Sequence, residues 1–284
     1  MTAVRLEVDR GVAVLTLDRP ERRNAFTAEM GIALGEHYRT LDSDDAVRVI
    51  VLTGSPPAFC AGADLSGRDE TFGAADSPGF SASPVHPPAF DLRKPVIAAV
   101  NGHAIGIGLT LALQADIRLM AIGADYAIRQ VRLGVVPDAL SHWTLPRLAG
   151  MGAAAEIMLT GRTFDAERAV QLGLASLALP AAEVLPAALE MARDIATHVA
   201  PMSAALCKRA LWDTARHNLG PDAVEELETE LHRRVMGSPD AAEGVRAFLE
   251  GRPPRWSARL NAEWQELPIP AGGESAGRHN EYEW

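Results

Sequence analysis

The 284-residue chain has two cysteines, Cys60 and Cys207, too few and too far apart for a disulfide framework or a cysteine-held zinc site. Lysine is as scarce: Lys94 and Lys208 are the two lysines among 27 basic residues, and in so alanine-rich a chain we read this as coding composition rather than function. Positive charge is also short, with a formal net charge of −10. That excludes a general nucleic-acid binder, whose grip on phosphates needs a basic face. No stretch approaches the roughly 20 apolar residues of a membrane span. The N-terminus lacks the charged, apolar and small-residue blocks of a signal peptide. No cluster of His, Cys, Asp and Glu has metal-ligand spacing, so no metal is expected. These absences leave a globular protein expected in the cytoplasm, long enough for a large core with or without an appendage.

Apolar and polar residues alternate over Val4–Val8 and Val12–Leu17 around Asp9-Arg10-Gly11, which predicts a β-hairpin. Thr27 caps a predicted helix to about Leu41, and Val47–Thr53 and Pro95–Asn101 read as buried strands. Ser66–Pro88, rich in Gly, Ser, Asp and Pro, reads as a long surface loop. Gly102–Gly108 reads as a turn and Leu109–Ala115 as a buried helix, followed by short strands at Ile117–Met120 and Tyr126–Ile128. Helices follow at Ser141–Leu148, Ala153–Leu159 and Ala166–Leu172, stopped by Gly150, Gly161 and Gly173, then a strand at Ala175–Leu179. Beyond this the pattern is helical: Pro186–Ala200, Ser203–His217, Pro221–Met236 and Ala241–Leu249. The reading is an α/β core over residues 1–200, a helical region over 201–266 and a tail over 267–284.

Two segments suit close approach of backbone to a ligand. Ala58-Phe59-Cys60-Ala61-Gly62-Ala63-Asp64-Leu65 follows a buried strand, and its small residues leave N–H groups accessible. Asn101-Gly102-His103-Ala104-Ile105-Gly106-Ile107-Gly108 lies between a strand and a helix, where first-turn amides lack partners. Both are equally compatible with ordinary strand-to-helix turns. A dinucleotide fingerprint is excluded, since the third glycine would fall at Leu111.

These segments, with Lys94-Pro95-Val96-Ile97-Ala98-Ala99-Val100-Asn101-Gly102, Ala115-Asp116, Arg19-Pro20-Glu21-Arg22-Arg23-Asn24-Ala25 and Leu159-Thr160-Gly161-Arg162, resemble the crotonase (enoyl-CoA hydratase/isomerase) superfamily in order and spacing to about Trp256. The resemblance implies a spiral of strand-strand-helix units with a helical C-terminal region that assembles trimers or hexamers. It implies an acyl-CoA thioester as substrate and no cofactor beyond the CoA that the substrate carries. The thioester carbonyl would sit between the backbone N–H groups of Ala63 and Ile107, which stabilise an enolate. Relatives commonly have glycine where this chain has Ile107, whose side chain narrows the space. Ala61, Asp64, Leu65, Thr110 and Gln130 would line the acyl-CoA site. Arg22 and Arg23, together with Arg19, would meet the nucleotide end of CoA, though each reads equally as part of a solvated basic turn.

The chain departs from this pattern at its acids. Hydratases of this kind carry glutamates at the positions aligned with Thr110 and Gln130, and neither residue titrates near neutral pH. One acid remains, Asp138, at a position where some branches of the superfamily use an aspartate for proton transfer or nucleophilic attack. Its Pro137-Asp138 setting reads equally as a helix cap for a helix starting near Ala139. His142, four residues on, would share a helix face with it. His103 reads as packing and Cys60 as buried and inert, while His86, Asp69, Glu70 and Asp91 lie in or beside the long loop. The expectation is double-bond isomerisation with Asp138 as acid and base, hydration being poor. The alternatives are thioester hydrolysis and a non-catalytic acyl-CoA binder.

Overall fold

The computed structural model describes residues 3–70 and 80–266, so the expected tail and the middle of the long loop lie outside the described residues. Within them the chain forms two compact units, parted between Val199 and Ala200.

The first unit is built on a six-stranded sheet. β1 (Val4–Asp9) and β2 (Val12–Leu17) make the expected hairpin, registered from Val4 opposite Leu17 to Asp9 opposite Val12. β2 then pairs in parallel with β3 (Val49–Gly54), β3 with β5 (Val96–Val100), β5 with β7 (Ile117–Ala121) and β7 with β9 (Leu177–Leu179). Every residue of β3 and β5 is buried, which is why both read as unbroken apolar runs rather than as alternating patterns.

After β3, β5 and β7 the chain turns into a short strand of a second, parallel sheet: β4 (Ala58–Cys60), β6 (His103–Ile105) and β8 (Tyr126–Ala127). This repeat of long strand, short strand and helix winds the chain into a spiral. The short strands sit inside segments whose glycines read as turns, so β4 and β6 had no strand signature of their own. The helices are α1 (Ala28–Asp42), capped by the Thr27 side chain, α2 (Ile107–Ala112), α3 (Ser141–Thr160), α4 (Ala166–Gln171) and α5 (Ala181–His198). α2 begins two residues before the expected Leu109, because Gly106 at φ +54° makes the turn and Ile107 is already helical. α3 joins two of the expected helices across a kink at Gly150 (φ +78°, ψ 159°). α5 starts five residues before Pro186, which lies inside the helix. There its missing N–H costs one backbone bond near the N-terminal end. Val184, Ala188 and Ala192 line the buried face of α5, and the helix lies against β3, β5 and β7.

The long loop is less superficial than its composition suggests. Its return limb carries Val85, 1% exposed, into the core, and the Ala82 carbonyl accepts the Ala139 N–H at 2.7 Å. The second unit consists of α6 (Pro201–His217), α7 (Pro221–Val235), α8 (Pro239–Glu250) and the short α9 (Leu260–Glu263), with Leu206 and Leu227 at its small core. No helix among the described residues is long and apolar enough to cross a membrane.

Candidate active site

The spiral brings the two small-residue turns against each other. β4 and β6 pair in parallel, and beyond their ends each turn closes on a carbonyl of the other. A Cβ on Gly108 would lie 2.3 Å from the Cys60 carbonyl oxygen, and one on Gly62, at φ +105°, would lie 3.2 Å from that of Ile105. Larger residues at either place would push the turns apart. A parallel bridge joins Phe26 to Ala63. Phe26 spends its own N–H on Gly62 O (2.7 Å) and its carbonyl on Asp64 N–H (2.9 Å). This ladder uses the groups flanking Ala63, so the Ala63 N–H points away from Phe26 and makes no hydrogen bond among the described residues. The Ile107 N–H is the first amide of α2 and likewise has no partner among them. Ile107 is 6% exposed and packs with the core.

Asp138 lies between a 3-10 turn (Gln130–Leu133) and α3. The helix-cap alternative does not hold. Leu140 occupies the cap position of α3 with no side-chain cap, and the Ser141 N–H goes to the Asp138 backbone carbonyl at 2.9 Å. The carboxylate turns instead toward α2. Its Oδ1 accepts from Thr110 Oγ1 at 2.7 Å and from Gln130 Nε2 at 3.1 Å. The two positions where related hydratases would carry glutamates thus converge on one oxygen of the remaining acid. The carboxylate also interacts with its own backbone N–H. Burial raises the Asp138 pKa above the ordinary carboxylate range, and the Thr110 and Gln130 bonds, which favour the charged form, pull it part of the way back.

The backbone here is strained. Ala139 (φ +47°) and Leu140 (φ +62°) are both left-handed, a conformation that costs a non-glycine residue about 1–3 kcal/mol. Both backbone groups of Ala139 are pinned, its N–H by Ala82 O and its carbonyl by Gln114 Nε2 at 2.9 Å. Gln114 escaped the sequence reading. Its signal was a glutamine two residues beyond the end of α2, after the run Leu111-Ala112-Leu113, and it is 1% exposed. A polar group so placed must have a specific partner.

The remaining candidates fall into place around this centre. Asp138 precedes α3, so His142 does not share a helix face with it and is exposed. His103 is half-exposed, and its Nδ1 accepts the Asp125 N–H at 2.9 Å. Cys60 is fully buried, and burial pushes its thiol up to about 12. Arg19 is tied to the turn beside it. It donates to Asp64 Oδ2 at 2.8 Å and to Ala25 O at 2.6 Å. Asp64 also accepts the Ser66 N–H at 2.9 Å, and these bonds hold its carboxyl down to about 2. Asp64 therefore anchors the turn that presents Ala63. Arg22 and Arg23 are exposed and form no ion pair among the described residues, while the Arg23 carbonyl accepts the Ala61 N–H at 3.0 Å. Leu65 is 51% exposed.

A comparison with known families matches residues 7–259 to the enoyl-CoA hydratase/isomerase model. The chain belongs to that family. It is 37% identical over 257 residues to 1,2-epoxyphenylacetyl-CoA isomerase of Escherichia coli, covering 89% of this chain and 97% of the relative. It is 35% identical to carnitinyl-CoA dehydratase of Proteus mirabilis over 257 residues, covering 87% and 95%. Among solved structures, a probable enoyl-CoA hydratase/isomerase from Mycobacterium abscessus superposes with a TM-score of 0.88 at 62% identity, over 91% of this chain and all of that one. An enoyl-CoA hydratase from Bacillus anthracis superposes with a TM-score of 0.82 at 29% identity. The spiral of strand-strand-helix units with a helical C-terminal region is therefore the crotonase fold that the motifs implied.

Proposed function

We propose that the protein binds an acyl-CoA thioester with its carbonyl between the Ala63 and Ile107 amides and moves a double bond along the acyl chain, Asp138 taking and returning the proton. Relatives at 37% and 35% identity are named for an isomerase and a dehydratase, so the choice between such reactions rests on the site itself. The observation that carries it is the buried Asp138 carboxylate, held between α2 and the 3-10 turn by Thr110 and Gln130 on Oδ1 and by its own backbone N–H. A single carboxylate suffices to remove a proton from one carbon and deliver it to another across an enolate. Hydration needs one group to activate water and another to protonate carbon, and Thr110 and Gln130 supply neither. The raised pKa of Asp138 makes it a stronger base once ionised than an exposed aspartate. Arg22 and Arg23, exposed on the turn before α1, suit the phosphates of CoA.

A catalytically silent acyl-CoA binder is the second reading, favoured by the two amide and hydroxyl residues at the glutamate positions. A panel of 3-enoyl- and dienoyl-CoA esters, assayed by ultraviolet absorbance with wild type and Asp138→Asn, separates the two. Conversion by wild type that the variant loses supports the isomerase; binding without conversion supports the silent binder. Conversion to free CoA in place of isomer would point to thioester hydrolysis. We also propose self-association into trimers or hexamers. Val245, Phe248 and Leu249 share one face of α8 and are 62%, 84% and 77% exposed. Sedimentation at monomer mass would refute this.

A further inference from the structure

The buried carboxamide of Gln114 touches two segments that are distant from each other in sequence. Its Nε2 donates to the Ala139 carbonyl at 2.9 Å, and its Oε1 accepts the Ala89 N–H at 3.4 Å. The two contacts fix which end is nitrogen, because a carbonyl only accepts and an N–H only donates. Ala89 belongs to the return limb of the long loop, where Val85, Ala89 and Phe90 are all buried. The same limb gives the Ala82 carbonyl to the Ala139 N–H. The limb therefore holds Ala139 at both backbone groups, at the N–H directly and at the carbonyl through Gln114. Ala139 and Leu140 are the left-handed pair that follows Asp138. Neither is a glycine or an asparagine, so the pair has no intrinsic preference for that conformation, and its surroundings must impose it. Thr110, four residues before Gln114, meanwhile holds the Asp138 carboxylate itself at 2.7 Å. The Thr110–Gln114 stretch thus meets the Asp138 segment twice, once at the carboxylate and once at the residue that aims it.

We propose that Gln114 is a positioning residue for Asp138: by clamping the Ala139 carbonyl to the return limb of the loop, it maintains the left-handed pair that turns the carboxylate to α2. Seating of the limb and aim of the carboxylate are then one event, joined through a side chain that touches neither the carboxylate nor the two amide-bearing turns. The bearing of this clamp on the reaction rests on the reading of Asp138 as the proton carrier; its bearing on where the carboxylate lies does not.

The test titrates the Asp138 carboxyl by NMR in the full chain, labelled with carbon-13 at the aspartate carboxyls, its signal assigned by its loss in Asp138→Asn. Wild type is compared with Gln114→Met, Leu140→Gly and the two combined. Methionine keeps the length of the side chain and removes both hydrogen bonds. Glycine adopts the left-handed conformation freely and so takes over part of the clamp's work. In wild type the carboxyl titrates above the ordinary value of 3.8, because it is buried. In Gln114→Met the titration should fall toward 3.8 as the carboxylate leaves its buried place, and in the combined variant it should return toward wild type. Leu140→Gly alone should match wild type. Deuterium exchange into a bound acyl-CoA should slow about tenfold or more in Gln114→Met, with affinity retained, and recover in the combined variant. A side chain that only stabilised the fold would lower the melting temperature without moving the titration. A wild-type titration in Gln114→Met, or a shifted one that Leu140→Gly leaves uncorrected, overturns the proposal, as does failure of both Gln114→Met proteins to fold. Exchange absent from every protein beside the expected titrations defeats the isomerase reading and leaves the clamp intact. Asp138-dependent exchange at the wild-type rate in Gln114→Met defeats the clamp and leaves the isomerase.

Discussion

Replacing Thr110 with valine removes one hydroxyl from a fully buried position and keeps the shape of the side chain. The hydroxyl donates to Asp138 Oδ1 at 2.7 Å; a second acceptor, the Ile107 carbonyl, is 3.3 Å away, and the single proton belongs to the shorter bond. A hydrogen bond to a charged acceptor contributes about 1.5–3 kcal/mol and one to a neutral acceptor about 0.5–1.5 kcal/mol. The Thr110 bond therefore favours the ionised over the protonated Asp138 by about 1–1.5 kcal/mol, close to one pH unit at 1.36 kcal/mol per unit. Burial raises the Asp138 pKa and the Thr110 bond opposes it, so removing the bond moves the pKa further up. If Asp138 acts as the base, the rate rises as it ionises, and the acidic limb of the rate profile shifts up by about one pH unit in Thr110→Val. The assay is exchange of acyl-chain protons for deuterium, followed by NMR from acid to neutral pH. Thr110→Ser, which keeps the donor, should retain the wild-type limb. A Val profile that superimposes on wild type, or shifts down, would show that Thr110 does not tune the working acid.

Gly108→Ala should lower stability by about 3 kcal/mol or more, since its Cβ would meet the Cys60 carbonyl at 2.3 Å with only backbone to yield. Thermal denaturation reads this, and an unchanged melting temperature would contradict the close packing of the two turns. Asp64→Asn should cost about 1–2 kcal/mol at neutral pH through loss of the charged bond from Arg19. The stabilisation from Asp64 is full above its unfolded value of 3.8 and is lost as pH falls toward about 2. Urea titrations at acid pH should therefore show the variant and wild type converging. For Asp138 the sign is opposite. Its raised pKa favours the fold at low pH and the benefit fades as pH rises through the folded value, so Asp138→Asn should gain relative stability toward neutral pH. Crotonyl-CoA hydration, followed by absorbance, should be very slow, and a diffusion-scale rate would overturn the reading of Thr110 and Gln130.

Most of the large sheet was legible: β1 and β2 from their alternation around a turn, and β3 and β5 from unbroken apolar runs buried on both faces. The short strands β4, β6 and β8 were not legible as a sheet, since two or three residues carry no periodicity and their pairing is non-local. The amide-bearing turns at Ala63 and Ile107 could be found from small residues alone, but their mutual packing through Gly62 and Gly108 is a tertiary fact. Asp138 shows the limit of local reading most clearly. Pro-Asp before a helix is a sound cap pattern, yet the two left-handed residues that follow turn its carboxylate to α2, and they are held there by Ala82 and Gln114 from distant parts of the chain. The Arg19 ion pair was hidden for a related reason: its partner Asp64 is 45 residues away.

The central claim is that Asp138 moves the proton. Its most direct test is deuterium exchange into the acyl chain of a bound acyl-CoA, compared between wild type and Asp138→Asn at matched ligand occupancy. The account predicts exchange by wild type and at least about a hundredfold slower exchange by the variant, with acyl-CoA affinity retained. Exchange at the wild-type rate in Asp138→Asn, or an acyl-CoA bound by wild type with no exchange at all, would contradict it.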